Sequence, residues 1–348
     1  MPKVLCFVSP TVGGATRMSI NVGKILMQQG FEVKFVVYSD KIQETKDFIP
    51  QGAEYTILGL KSIWHLPVLR MVRLFKKERA THVFSSLVFL NLRVIIAAKV
   101  AGVKSIVRND NILQYFQPYI RTGMKLIYPI ANHIITQQEE MREELVNFIP
   151  KCKDKIVALQ NVFDSKLIDK NILAQSPYND NATVRYVWSG RYTHSKGHDV
   201  LLKAFKIVHD ANTGTHLYIL GKFSENNPYY QRLKLFVQDN DITDFVHFVG
   251  FQKNPHVWIK YADCFVLPSR VEGLPNALVE AMYIGKPVVA TVSIPVIDRM
   301  VEQGYNGYKV KVEDIDDMAD KMMKALKLKD FKMTYKPSTP EDYIKLFD

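Results

Sequence analysis

Apolar residues in this chain follow two rhythms that take turns from one end to the other. Short apolar runs, read as buried strands, fall at residues 3–9, 31–38, 55–58, 82–85, 105–107, 133–136 and 156–159. They resume at 184–188, 216–220, 245–249, 264–267 and 288–290. Between them lie longer stretches whose apolar positions recur every three or four residues. Residues 199–209, with Leu201, Leu202, Phe205 and Val208 on one face, are the clearest helix of this kind. Strands alternating with helices predict parallel, doubly wound α/β sheets. The punctuation agrees around 264–290. Pro268 ends a strand, Glu272-Gly273-Leu274-Pro275 is turn-like, residues 276–284 are helical, and Gly285-Lys286-Pro287 stops that helix.

With 348 residues the chain has room for two domains. The polar stretch 174–182, AQSPYNDNA, lacks apolar periodicity and reads as the linker, placing one domain at 1–174 and the next at 183–335. No apolar run reaches the roughly 20 residues that span a bilayer. The opening MPKVLCFVSP reads directly as a first strand rather than a secretory leader, so a cytoplasmic location is expected. Cys6, Cys152 and Cys264 are far apart, which suggests a reducing compartment and no zinc cluster.

Charge changes this picture. Residues 1–174 carry 24 Lys and Arg against 14 Asp and Glu, whereas residues 175–348 carry 22 against 21. A basic first half fits an acidic substrate, an anionic membrane or nucleic acid. Residues 66–79, LPVLRMVRLFKKER, form an amphipathic cationic helix with Leu66, Leu69, Val72 and Phe75 or Leu74 near helical spacing. A solvated helix face and a helix lying on the inner surface of a membrane both fit it. Residues 115–128, with Arg121 and Lys125, are also basic and aromatic and fit an acceptor contact, a membrane contact or helix packing. The chain has no nucleic-acid-binding module and no basic stripe interleaved with aromatics, which argues against nucleic acid.

Three loops carry candidate chemistry, each after a strand. Gly13, Gly14 and Arg17 follow the first strand, where glycines admit backbone amides to a phosphate. Gly190, Arg191 and Lys196 follow 184–188; Arg191 can fork across two phosphate oxygens and Lys196 adds a point charge. Glu272 in the 268–275 loop and Glu280 on the next helix are eight positions apart, so two carboxylates can approach one ligand at different depths. The start of the 276–284 helix offers unpaired amides for an anion. Carboxylates suit vicinal sugar hydroxyls. Taken singly, these residues also read as solvated loop and helix charges. His194 and His198 lack a third ligand at metal spacing, so no metal site is expected.

The motif EGLPNALVEAM followed by GKPVVA closely resembles the signature of retaining glycosyltransferases of family 4, which have the GT-B fold. Residues 189–197, SGRYTHSKG, are similar to that family's GR…KG segment, and 302–308, EQGYNGY, to another of its segments. The likeness is strong over 184–310 and diffuse over 1–170. It implies two Rossmann-like domains facing across a cleft, with a nucleotide-sugar donor, UDP-linked first and GDP-linked second, held by the second domain. The acceptor, a glycan or lipid-linked glycan in bacterial polysaccharide assembly, would lie on the first. A terminal segment 336–348 would cross back to the first domain. By resemblance Glu280 binds ribose, Glu272 contacts the transferred sugar, and Arg191 and Lys196 neutralise the diphosphate. Leu274, Pro275 and Asn276 shape the pocket, Gly13, Gly14 and Arg17 face the phosphates, and the backbone at Phe251 receives the base. No cofactor and no metal are implied.

The chain departs from the family at Arg108-Asn109-Asp110, where a histidine is usual. These three are candidates for sugar or acceptor contact, with Asp110 a candidate base. Asn161 and Asp164 are expected to organise the loop leaving the first domain. The competing classes are a GT-B epimerase or phosphorylase and a non-enzymatic basic nucleic-acid binder.

Overall fold

A computed structural model describes residues 2–10, 14–39, 43–59, 68–162 and 165–348, with Gln43 and Glu44 by their backbone only. Gly13, Leu66 and Asp164 lie outside the described residues. The chain divides into two units, Met1–Val162 with Pro337–Asp348, and Phe163–Lys336.

The first unit is built on seven strands, β1 (Lys3–Val8), β2 (Glu32–Val37), β3 (Glu54–Ile57), β4 (His82–Ser85), β5 (Lys104–Asn109), β6 (His133–Thr136) and β7 (Ile156–Ala158). They pair in parallel in the order β3-β2-β1-β4-β5-β6-β7. The helices are α1 (Gly14–Gln28), α2 (Gln43–Lys46), α3 (Val68–Lys77), α4 (Val88–Ala101), α5 (Pro118–Ile127) and α6 (Glu139–Phe148). Each strand alternates its side chains between two faces, and both faces are apolar because helices cover both. Val4, Cys6 and Val8 pack with α1, while Leu5 and Phe7 pack with α3 and α4. α5 joins the α3–α4 layer through Gly123, where a β-carbon would come within 2.8 Å of Leu92 Cδ1.

The second unit begins with α7 (Ser165–Asn171) and holds β8 (Val184–Ser189), β9 (Thr215–Leu220), β10 (Val246–Gly250), β11 (Cys264–Leu267), β12 (Val288–Thr291) and β13 (Gly307–Val310). The sheet runs β10-β9-β8-β11-β12-β13, again parallel. α8 (His198–Ala211), α9 (Pro228–Asp239), α10 (Pro255–Tyr261), α11 (Asn276–Tyr283), α12 (Pro295–Met300) and α13 (Ile315–Ala325) complete it. The apolar runs foretold twelve of these thirteen strands within two residues at each end. β13 and α12 were missed, because their apolar stretches are short and interrupted by glycine, tyrosine and lysine or by charge.

Two expectations change. Residues 174–182 are not a free linker but a strap on the second unit. The Tyr178 ring packs 4.5 Å from Tyr218 and 5.1 Å from Trp258, and its hydroxyl donates to the Trp258 carbonyl at 2.7 Å. Asp180 accepts from Arg185 at 2.8 Å and from the Tyr218 hydroxyl. The units therefore divide at Val162, earlier than the polar composition suggested. On α3 the buried residues are Met71, Val72 and Phe75, whereas Leu69 is 68% exposed.

α14 (Pro340–Ile344) brings the last residues onto the first unit, starting from a capping box in which Thr339 and Asp342 satisfy each other's backbone. The Tyr343 hydroxyl donates to the Gln160 carbonyl at 2.8 Å, and Phe347, fully buried, packs among Phe31, His82 and Phe84. Phe347→Ala is expected to destabilise the first unit by about 3 kcal/mol, the lower end for a buried phenylalanine because a terminal segment can relax. Urea unfolding checks it, and a loss below measurement error would show that the terminal segment adds little.

Candidate functional site

In a parallel sheet, neighbouring strands whose connections leave in opposite directions open a crevice at their carboxyl ends. In the second unit those strands are β8 and β11. The loop after β8 carries Gly190, Arg191 and Lys196; the loop after β11 carries Ser269 to Pro275. The sequence-predicted residues of both loops thus converge on one edge.

The two loops are held at close quarters. Gly197 has φ +68°, and a β-carbon there would sit 2.0 Å from the Pro268 carbonyl oxygen. Only glycine meets both demands. Beside it the Ser195 carbonyl accepts from the Arg270 amide at 2.8 Å. Lys196 then reaches Glu272, with Nζ 2.6 and 2.7 Å from the two carboxylate oxygens, and the Ser269 hydroxyl donates to Oε1 at 2.6 Å. The Glu272 side chain is 5% exposed. Burying a carboxylate without such hydrogen-bond partners is costly. Arg191 is exposed, and its guanidinium makes no hydrogen bond or ion pair among the described residues.

Arg270 anchors the loop from outside. Its guanidinium forks onto Asp199 at 2.8 Å for each oxygen, donates to the His194 carbonyl at 2.7 Å and pairs with Glu313. Burial alone would raise the Asp199 carboxyl, but the Arg270 fork and the Tyr229 hydroxyl overcome it and hold the group well below the usual carboxylate range. His198, the first residue of α8, is buried, stacked on Tyr192 with ring centroids 4.8 Å apart and edge-on to Trp188. Burial pushes it down to about 3, helped by Lys196 and Arg270 and opposed by Asp199. It is an internal packing residue, and no cluster of three or more metal-ligating side chains occurs among the described residues.

Glu280 projects from α11, half-buried. His256 Nε2 on α10 lies 3.5 Å from its Oε2, and His256 Nδ1 lies 2.9 Å from the Asn171 amide nitrogen. An amide nitrogen is a donor, so Nδ1 accepts and Nε2 carries the proton facing Glu280. The start of α11 is less open than expected. The Asn276 amide donates to the Leu274 carbonyl at 3.0 Å, and those of Leu278 and Val279 donate to Pro275 at 3.0 and 3.2 Å. A tight turn consumes these donors, so the loop side chains rather than helix-start amides must supply most of any anion site. Leu274 is half-buried and Pro275 buried, against the α11 side of the core. Phe251 is exposed after Gly250, whose φ is +81°.

The first unit has an equivalent crevice between β1 and β4. Gly14 opens α1 there with open space where a β-carbon would point, and the Ser86 hydroxyl donates to the Ala15 carbonyl at 2.6 Å. Arg17 is exposed, 5.7 Å from the Phe48 ring centre. At the end of β5, Arg108 is buried and pairs with Asp110 at 3.1 Å and with Asn161. Asn109 donates to the Asn111 carbonyl at 3.0 Å, and Gln137 donates to Asp110 at 3.1 Å. Burial pushes the Asp110 carboxyl up, with Arg108 and Gln137 opposing. Arg108 therefore acts inside the unit, as a support for Asp110, rather than on its surface. Asn161, expected to organise the loop leaving the first domain, accepts from Arg108 at the end of β5.

Sequence reasoning missed Ser269, Arg270, His256 and Asn171. Ser269 and Arg270 stood in plain view between a strand end and Glu272; His256 and Asn171 carry no local signal.

Residues 171–341 match the family model described as glycosyl transferases group 1. An uncharacterized glycosyltransferase of Haemophilus influenzae is 25% identical over 330 residues, covering 88% of this chain and 85% of that protein. The capsular polysaccharide biosynthesis glycosyltransferase CapM of Staphylococcus aureus is 25% identical over 322 residues, covering 87% and 80%. Campylobacter jejuni contributes an N-acetylgalactosamine-N,N'-diacetylbacillosaminyl-diphospho-undecaprenol 4-alpha-N-acetylgalactosaminyltransferase, 25% identical over 298 residues, covering 80% and 77%. Among solved structures, Anabaena HepE in complex with UDP superposes with a TM-score of 0.72 at 19% identity, covering 92% of this chain and 88% of that one. The shared fold is that of two Rossmann-like parallel α/β units, the GT-B architecture, and the sequence matches are similarities to glycosyltransferases.

Two outcomes follow for the second unit. Gly197→Ala is expected to lower its melting temperature through a left-handed backbone penalty of about 1–2 kcal/mol plus the Pro268 collision; an unchanged melt would show that the loops can separate freely. His198 is neutral when folded and titrates near its ordinary value when unfolded. The unfolded chain therefore binds more protons between about pH 3 and pH 6.5, and stability falls as pH drops through that window. From pH 7 to 5, wild type should lose about 2 kcal/mol more than His198→Phe in urea titrations; parallel curves would place the titration elsewhere.

Proposed function

We propose that the protein is a retaining glycosyltransferase that moves a hexose or N-acetylhexosamine from a nucleotide-diphospho-sugar, UDP-linked by preference, onto a glycan or lipid-linked acceptor. The observation that carries this reading is the pairing of Lys196 with Glu272 at the β8–β11 crevice, beside exposed Arg191. A site holding two cations and a buried carboxylate suits a ligand that is anionic at one end and hydroxylated at the other.

The residues divide the work. Arg191 and Lys196 receive the diphosphate; as Lys196 turns to it, Glu272 is released to accept from a sugar hydroxyl, with Ser269 keeping it in place. Glu280, oriented by His256, accepts from the ribose, and the Phe251 backbone meets the base. The bond between the anomeric carbon and the diphosphate oxygen breaks. An acceptor hydroxyl bonds to that carbon with the same configuration, and its proton leaves with the diphosphate. Charge growing on the leaving group is met by the two cations, so the chemistry asks for no metal. The first unit serves the acceptor, with Asp110, Asn109 and the Gly14–Arg17 turn as its candidate contacts, and Arg108 behind them. The Staphylococcus aureus and Campylobacter jejuni relatives and the UDP complex of HepE support a role in polysaccharide or glycan assembly with UDP. The basic first half fits an anionic membrane surface on the cytoplasmic side.

Thermal shift against UDP, GDP, ADP and CMP tests the donor site, with UDP expected to raise the melting temperature selectively. Sugar transfer followed by product NMR tests retention. Glu280→Ala should reduce kcat/KM by about a hundredfold. A flat response to every nucleotide, or unchanged transfer in that variant, would overturn the assignment; turnover of donor without acceptor would point to an epimerase.

A further inference from the structure

The net charge of this protein is concentrated far more sharply than its halves suggest. Residues 55–138 contain twelve Lys and Arg against two Asp and Glu, a surplus of ten within a chain whose total is +11. Both acids in that span are occupied. Glu78 lies 3.1 Å from Lys3 and 2.9 Å from Lys34, and Asp110 pairs with Arg108. Neither acid is left over for the remaining cations of the span, of which Lys104 donates to the Asp348 carbonyl oxygen at 2.6 Å.

Eight of the twelve cations lie on α3, α4 and α5, whereas Lys104 and Arg108 belong to β5 and Arg108 is buried. α3, α4 and α5 pack side by side on the same face of the first sheet, α4 contributing to the cores beneath both neighbours. α1 and α14 cover the opposite face. The outer side of α3 carries Arg70, Arg73, Lys76 and Lys77, all exposed, with Leu69 among them. The outer side of α5 differs in kind. Tyr119 and Leu126, seven positions apart on one face of α5, are 58% and 73% exposed, Tyr115 in the turn before the helix is 58% exposed, and Lys125 is exposed beside Leu126. No Asp or Glu occurs from Asn111 to Gln138.

Large apolar side chains left in water on a helix with cations beside them match the needs of an anionic bilayer surface. Tyrosine settles at the headgroup level, leucine enters the acyl boundary, and lysine spreads toward phosphates. A nucleic acid would use the charge but not Leu126. An acidic protein would need a shaped groove, and this layer is a row of convex helices.

We infer that the α3–α4–α5 layer is a membrane-docking face for bilayers rich in anionic lipid. α3 supplies long-range attraction, and α5 supplies shallow insertion through Tyr115, Tyr119 and Leu126. Of the two basic stretches the sequence offered as membrane contacts, this assigns insertion to α5 rather than α3, whose apolar residues other than Leu69 are buried or half-buried. It deepens the membrane part of the proposed function but does not need the protein to be a transferase.

The test is co-sedimentation of the full-length protein with phosphatidylcholine vesicles with and without phosphatidylglycerol, alongside UDP thermal shift on the same samples. Binding should require phosphatidylglycerol and weaken about tenfold between low salt and about 0.5 M salt, where the screening length falls to roughly 4 Å. Tyr119→Ser with Leu126→Ser should weaken vesicle binding about tenfold while leaving binding to heparin, a soluble polyanion, unchanged. Lys76→Glu with Lys77→Glu should weaken both. These positions are exposed, and an unchanged melting temperature confirms folding. Equal binding to neutral vesicles, capture by heparin without vesicle binding, or full vesicle binding by the α5 variant would each overturn the inference. Failure of UDP to shift the melt would count against the donor site alone.

Discussion

Everything at the candidate site depends on how closely the turn after β8 can lie against the end of β11. That approach is set by a missing atom. Gly197 has no β-carbon, and its left-handed backbone passes the Pro268 carbonyl where any side chain would collide. Once the loops touch, Ser195 can accept from Arg270, and Lys196 reaches a carboxylate that would otherwise be buried without a counter-charge. A contact formed this way is poised rather than inert, because an incoming anion competes with the carboxylate for the lysine.

Around that contact the unit is organised as supports in tension. Arg270 binds loop, α8 and the segment before α13 together through Asp199 and Glu313, none of which needs to touch a ligand. His256 fixes the proton facing Glu280 from a neighbouring helix. The first unit uses the same device with different residues: Arg108, fully buried, braces Asp110 and Asn161 at the end of β5. In both units an arginine near a loop that carries chemistry is spent on positioning carboxylates.

The strands and most helices were legible because their information is local. A run such as Cys264–Leu267 has one stable fate, burial in a sheet covered on both faces, and Pro268 announces its end. Where local signal thins, reading failed: β13, with tyrosine and lysine inside it, gave no run, and the polar strap 174–182 concealed Tyr178, whose ring packs on Tyr218 and Trp258, each at least forty positions away. The helix-start amides of α11 were misjudged for a related reason, since a tight turn at Leu274-Pro275 closed bonds that helix geometry alone leaves open.

By itself the sequence determined the class of fold, the two-unit plan, the loops that carry chemistry and the excess of positive charge, because strand and helix periods, turn residues and formal charge are properties of neighbours along the chain. Only the tertiary structure decided that Lys196 and Glu272, separated by 76 positions, neutralise each other, that Arg108 faces inward, and that Leu69 and Leu126 face water. Those outcomes follow from strand order and helix packing, which bring distant residues within the few ångströms where charge, hydrogen bonding and burial act.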